Sequence, residues 1–312
     1  MYIRAWVHLK RNRIAGRIWY PGKKIVSCSK QNTYPGLRSD TMNQSNYCYF
    51  NGDLIPYDKI HLHVSDLLLQ RGYGVFDYFR SRNGSLLWLE DYMERLFTSV
   101  EMSGIKTDLD RNQLVAVIRE LQGMNNLANG AFKVLVSGGY SDNLDSVTGQ
   151  HNIIVLNLHW TPPPEETFTR GVNLIKDRYI RPNPEVKTLF YFNRLKLQNK
   201  LREFNAVDVL YHTDRISEAS RANLFFVKNG QVYTPASDIL KGITRKQVLS
   251  LFGEIRVEDI TADRLYDFDE IFMTSTSQDI TPVVSVEGKK IGKGLPGPVT
   301  REILAAFRAK GW

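Results

Sequence analysis

Three consecutive prolines, Pro162-Pro163-Pro164, constrain the fold more than any other feature of the chain. Proline fixes φ and has no backbone N–H, so the run can continue neither a helix nor a strand, and it stiffens what it joins. The chain therefore divides near its middle. Residues 47–160 are expected to form a small α/β domain, 161–168 a linker, and 169–312 a larger domain. A chain of 312 residues is long enough for both.

The apolar runs, such as Ile153 to Leu158, are far shorter than the ~18 residues of a membrane span. No membrane partner is expected. Two cysteines, Cys28 and Cys48, do not make a disulfide framework and fit a reducing, cytoplasmic location. The net charge of +8 lies wholly in residues 1–47, where nine Lys and Arg face Asp40 alone. The rest is balanced, so the body of the protein offers no charge argument for nucleic acid. The basic head, residues 1–46, reads as a targeting segment, as an arm for anionic surfaces, or as a disordered extension ahead of a working start at Met42. The third is our expectation, because organised patterning begins only at Tyr47.

Asn51-Gly52 and Asn83-Gly84 are hairpin turn signals. His61 and His63 alternate in a strand-like stretch, but no Cys or carboxylate cluster joins them, and no metal is assigned. Leu89, Met93, Leu96, Phe97 and Val100 repeat at helical spacing up to Gly104, a C-terminal stop. Arg95 lies close to that apolar stripe, where a cation is costly unless paired. It is either a snorkelling side chain or an anion clamp. A second helix is expected over Asp110–Gly123, and strands over 131–137 and 152–160. Later strands are expected at 172–179, 208–212, 224–227 and 270–273. Helices are expected from just after Lys187 to about Phe204, from Ile243 to about Phe252, and from Val299 to Ala309.

Lys187 stands between the loop Arg181-Pro182-Asn183-Pro184 and the first of those helices. A Lys buried at such a seam has a lowered pKa, and a neutral amine is what condensation with an aldehyde requires. Gly242-Ile243-Thr244 opens a helix, whose free N–H groups and positive dipole end suit a phosphate. Thr274 to Ser277 places four hydroxyls after a strand. Glu218 precedes Asn223 and is placed to pair with a ring nitrogen. Each has an ordinary alternative: a solvated Lys, a plain helix start, a polar loop, a surface Glu. Together they form a set suited to pyridoxal 5′-phosphate.

Four ordered blocks resemble the class IV, or fold-type IV, pyridoxal-phosphate-dependent aminotransferases. They are Val186-Lys187-Thr188-Leu189-Phe190-Tyr191-Phe192-Asn193, Ile216-Ser217-Glu218-Ala219-Ser220-Arg221-Ala222-Asn223, Ile239-Leu240-Lys241-Gly242-Ile243-Thr244-Arg245, and Phe272-Met273-Thr274-Ser275-Thr276 with Ile280-Thr281-Pro282. Arg71-Gly72-Tyr73-Gly74-Val75-Phe76-Asp77 and Met93-Glu94-Arg95-Leu96 match the family's first domain. The resemblance implies a small N-terminal α/β domain and a larger barrel-like α/β domain with the cofactor between them, usually in a homodimer. It implies that Lys187 binds the cofactor aldehyde and shuttles the proton, and that Glu218 holds the pyridine nitrogen protonated. Tyr191 would sit by the phenolic oxygen. Arg95, Ile243, Thr244 and Thr276 would hold the phosphate. Phe76, Lys133 and Ser277 would meet the substrate, an amino acid or a 2-oxo acid.

Within the family, Asp77 follows Phe76 where lyases carry Thr, which counts against aminodeoxychorismate lyase. The stretch Ser137-Gly138-Gly139-Tyr140-Ser141-Asp142 lacks the Arg-x-His run of D-amino acid aminotransferases. Branched-chain enzymes carry Tyr-x-Arg where this chain reads Ala131-Phe132-Lys133, and Lys is not equivalent to Arg in a fixed geometry. The favoured reading is a branched-chain-type L-amino acid aminotransferase with altered preference. The 4-aminobenzoate-forming lyase, the D-amino acid enzyme and a non-catalytic cofactor-binding protein stay open.

Overall fold

The computed structural model describes residues 46–311. The basic head and Met42 lie outside the described residues.

The first layer is a six-stranded, wholly antiparallel sheet. Its strands are β1 (Tyr47–Phe50), β2 (Asp53–Pro56), β3 (Gly74–Arg82), β4 (Ser85–Leu86), β5 (Gly130–Ser137) and β6 (Asn152–His159), ordered β2-β1-β6-β5-β3-β4. Asn51 and Gly52 both take positive φ, as a two-residue type I′ turn between β1 and β2 demands. A short helix α1 (Leu67–Arg71) precedes β3, while α2 (Leu89–Ser103) and α3 (Arg111–Asn125) lie between β4 and β5. Asp110 starts α3 by accepting from the Gln113 N–H at 2.8 Å. Side chains alternate along β3 and β5. Val75, Phe79, Phe132, Val134 and Val136 pack on Met93, Leu96, Val100 and Ile118 of the two helices. Asp77 shares that parity; Phe76, Tyr78, Arg80 and Lys133 have the other.

The second layer is a curled, half-barrel sheet. Between the layers comes α4 (Glu165–Thr169), and Phe168 of this helix is buried in the second layer's core. The strands are β7 (Val172–Arg178), β8 (Ala206–His212), β9 (Arg215–Ala219), β10 (Asn223–Lys228), β11 (Gln231–Thr234), β12 (Arg256–Val257), β13 (Ile260–Thr261), β14 (Glu270–Ser275), β15 (Asp279–Val286) and β16 (Lys289–Lys290). Their order is β12-β11-β10-β14-β15-β7-β8-β9-β13, with β16 on β15. The β15–β7 and β7–β8 pairs are parallel. Ala219 and Ala222 bridge the turn from β9 to β10 and close the curl. Leu224, Phe226, Ile271 and Met273 fill its inside. Phe225, Val227 and Phe272 face outward onto the helices α7 (Ile243–Leu251) and α8 (Pro298–Ala309).

Three local expectations fail. The helix expected just after Lys187 begins only at Phe192 and breaks at Leu197 into α5 (Phe192–Lys196) and α6 (Gln198–Glu203). Residues 186–190 are bent and non-helical instead, because their backbone pairs with β3: Thr188 bridges Val75, and Phe76 donates to the Lys187 carbonyl at 3.0 Å. Leu195, which helical spacing groups with Leu197, Leu201 and Phe204, is exposed. His61 and His63 lie in no strand; the His63 ring instead meets the Ser65 hydroxyl at 2.8 Å. Residues 215–219, outside the expected strands, form β9. Among the described residues no helix is long and apolar enough to cross a membrane.

Arg80 ties the layers together. Its Nη2 donates to Asp279 Oδ1 of β15 at 2.5 Å, and its guanidinium stacks 4.2 Å from the Trp160 ring. Both ends of this pair are buried, which fixes β3 against the strand that follows the Thr274–Ser277 hydroxyls.

Candidate active site

Lys187 projects from the segment pinned to β3. Its N–H donates to Ser99 Oγ at 3.2 Å, and the next turn is held by Leu189 donating to the Gly74 carbonyl. A side chain at Gly74 would meet Leu68 Cδ1 at 2.9 Å and the Val136 carbonyl at 3.1 Å, so glycine permits this close passage. The Lys187 Nζ sits 4.8 Å from the Phe76 ring centroid. Burial pushes the amine down to about 7, with the cation of Arg95 adding to the effect. A large fraction is therefore neutral at physiological pH.

Glu218 is carried by β9 and is buried. Its Oε1 accepts from Arg181 Nε at 2.9 Å, and its Oε2 from the Leu240 N–H at 2.8 Å. Burial raises its pKa, and Arg181 opposes the rise. Tyr191 lies between, its ring 6.1 Å from that of Phe76, with burial raising its phenol pKa.

The far end of the cleft is built for an anion. Arg95 is paired: Nε and Nη2 donate to the two oxygens of the fully buried Asp77 at 2.9 and 2.7 Å. This bidentate fork offsets the cost of placing a cation beside the core. Its Nη1 faces the Lys241 carbonyl at the start of α7. Gly242 precedes α7 with no side-chain cap, leaving the first N–H groups, including those of Ile243 and Thr244, free. A Cβ on Gly242 would fall 2.0 Å from Asn223 Oδ1. The hydroxyls of Thr244 and Thr274 are buried without any partner. Thr276 Oγ1 meets the Tyr92 hydroxyl at 2.8 Å.

Arg95, Lys187, Tyr191, Glu218, Ile243, Thr244 and Thr276 all line one cleft. Phe76 touches it through Lys187 and Tyr191. Lys133 is not part of the lining; its Nζ lies 5.0 Å from the Phe76 ring centroid. Ser277 is not part of the lining; its hydroxyl lies 3.5 Å from that of Ser275. The sequence assigned no role to Arg181, which lines the cleft. Nor did it foresee Asp77 as the counter-ion of Arg95.

This donor set fits pyridoxal phosphate on its own terms. Two buried hydroxyls without partners and an uncapped helix start are unmet donors where a phosphate would lie. An amine of depressed pKa stands within reach of the same space, and the Glu218 carboxylate closes the other end.

Comparison with known proteins agrees. Residues 74–286 match the family described as amino-transferase class IV. D-alanine aminotransferase of Bacillus licheniformis is 29% identical over 270 residues, 83% of this chain and 95% of that protein. The branched-chain amino acid aminotransferase structure of Escherichia coli aligns with a TM-score of 0.77 at 26% identity, over 85% of this chain and 94% of that one. The fold is likewise that of the T.th. branched-chain amino acid aminotransferase with pyridoxamine 5′-phosphate, at TM-score 0.77 and 24% identity, covering 85% of this chain and 93% of that one. Family match, fold and cleft chemistry converge: this chain belongs to the class IV aminotransferases, whose cofactor is pyridoxal 5′-phosphate.

Proposed function

We propose that the protein moves the amino group of a branched-chain-type L-amino acid to a 2-oxo acid such as 2-oxoglutarate. The observation that carries the reading is Lys187: a buried amine with a pKa brought to about 7, facing a cleft that ends in a carboxylate on one side and phosphate donors on the other. The bound cofactor supplies an aldehyde to take up the amino group and a ring to withdraw electrons. Lys187 holds the cofactor in the resting enzyme. With the cofactor bound, the Lys187 amine would serve as the base that takes the proton from the substrate α-carbon and as the acid that gives it to the carbon on the far side of the transferred nitrogen. Its depressed pKa suits both roles near neutrality. Glu218, kept anionic by Arg181, holds a proton on the ring nitrogen. Arg95, Thr244, Thr274, Thr276 and the start of α7 anchor the phosphate.

Substrate preference rests on the opposite wall. Phe76 offers an apolar ring for an aliphatic side chain. Lys133 has no carboxylate partner among the described residues, and burial lowers its pKa. It is the group we assign to a substrate carboxylate, with the Ser277 backbone as a second donor. The segment 137–142 brings no cation to the site: Ser137 Oγ is spent on Asp66 at 2.8 Å. That supports L- over D-selectivity, although the D-alanine enzymes are among the relatives. A cytoplasmic homodimer completes the proposal.

Borohydride reduction of the cofactor-loaded protein followed by peptide mapping should place the reduced adduct on Lys187. A panel of L- and D-amino donors with 2-oxoglutarate then reads the preference. An adduct on another lysine defeats the assignment; turnover of D-alanine above that of L-leucine or L-valine defeats the substrate reading; release of pyruvate and 4-aminobenzoate from aminodeoxychorismate would point to the lyase.

A further inference from the structure

Arg181 spends three N–H groups on three targets. Nε donates to Glu218 Oε1 at 2.9 Å, Nη1 to the Val186 carbonyl at 2.8 Å, and Nη2 to the Pro184 carbonyl. Its side chain is 10% exposed and that of Glu218 is 6% exposed. The two carbonyls belong to the residue just before Lys187 and to one two positions earlier. One guanidinium therefore spans from β9, which carries the acid, to the segment that carries the amine.

Resting on the functional reading above, we propose that Arg181 is a positioning residue: it keeps Glu218 ionised and aimed into the cleft, and locks that carboxylate in register with the Lys187 backbone.

Three physical arguments carry this. First, Glu218 is the one carboxylate among the residues lining the cleft. Buried carboxylates retain their proton unless a cation or hydrogen bonds favour the anion. A neutral Glu218 would have no charge with which to hold a protonated ring nitrogen. Second, each Glu218 oxygen takes one internal donor, from Arg181 and from Leu240. An ionised carboxylate has about four acceptor positions, so capacity remains for a ligand N–H. Third, Arg181 and Glu218 act on Lys187 in opposite directions: Arg181 lowers its pKa and Glu218 raises it. Loss of Arg181 removes one influence and, by letting Glu218 take a proton, weakens the other. The principal damage then falls on Glu218, not on the amine. Lysine is a poor substitute, since a point charge cannot reach a carboxylate and two carbonyls in one planar fork.

The test is a double-mutant cycle on binding of pyridoxal 5′-phosphate to the apo-protein, read by tryptophan fluorescence quenching, with no turnover involved. R181Q and E218Q are each expected to weaken binding 10-fold or more. R181Q/E218Q should bind within threefold of E218Q alone, because Arg181 acts through the charge that E218Q has removed. R181K should recover part of the R181Q loss. Additive losses in the double variant overturn the proposal, as does R181Q binding within twofold of wild type. If circular dichroism finds R181Q unfolded, the R181K and R181K/E218Q pair replaces it: R181K is expected to weaken binding threefold or more, and additivity with E218Q again overturns the idea. Mapping of the wild-type adduct to Lys187 stands apart from these results, so failure here leaves the functional reading intact and failure there is separately visible.

Discussion

Replacing Lys187 with Met in the cofactor-free protein should raise stability near neutral pH and lose that advantage as pH rises. In the unfolded chain the amine keeps its proton up to about pH 10.5; in the folded chain burial brings the value to about 7. Between those limits folding expels a proton, so wild-type stability climbs with pH, whereas Lys187→Met lacks this contribution. Each pH unit is worth about 1.4 kcal/mol. From pH 7 to 9 the wild type should therefore gain about 2.3 kcal/mol on the variant as an upper bound, since the folded amine is still half-protonated at pH 7. Lys187 is only half-buried by surface area, and water reaching the side chain reduces the expected gain to about 1–2 kcal/mol. At about 2–4 °C per kcal/mol for a chain of this size, the melting-temperature gap should shrink by roughly 3–6 °C. The assay is differential scanning fluorimetry of both apo-proteins from pH 6 to 10. A gap that stays constant across that range would refute the claim that the fold holds this amine partly neutral.

Asp77→Asn leaves Arg95 without its bidentate partner beside the core, and a loss of about 3 kcal/mol is expected in chemical denaturation. Thr244→Val should split two properties: removing a buried hydroxyl that has no partner stabilises the apo-protein by about 1 kcal/mol, while cofactor affinity by equilibrium dialysis falls about 10-fold. Gly242→Ala drives a methyl into Asn223 Oδ1, freeing the Asn223 amide from the Leu240 carbonyl that it holds at 2.7 Å. It should weaken the cofactor about 10-fold or more by fluorescence titration, with little change in circular dichroism.

Much of the site could be read because its residues sit where pattern marks an element's end. Gly242 to Thr244 announces a helix start, and the hydroxyl run Thr274–Ser277 follows an apolar strand, so both needed only local sequence. The hairpin at Asn51-Gly52 and the stop at Gly104 were legible for the same reason. The rest depends on pairing across distance. Arg181 acquires its task only from a carboxylate 37 positions later. Asp77 acquires its task from a guanidinium 18 positions on, and alternation alone does not say that an acid on a core-facing position has found one. The non-helical segment 186–190 was hidden because the apolar spacing of Leu195, Leu197, Leu201 and Phe204 invites a helix that begins earlier than β3 allows. Residues 215–219 look polar enough for a loop, yet Ser217 and Glu218 are buried because the curl closes over them.

The strict alternation along β3 divides that strand's evolutionary freedom in two. Val75, Asp77 and Phe79 serve the helices, and Phe76 and Tyr78, with Lys133 on the adjacent strand, share the other parity. A single-residue insertion or deletion would exchange the two sets and destroy both tasks at once. Point changes confined to 76, 78 and 133 instead leave the packed side untouched. A library restricted to those three positions should therefore return folded clones at a far higher rate than one that includes 75, 77 or 79, and, on the substrate role proposed for Phe76 and Lys133, should also shift donor preference.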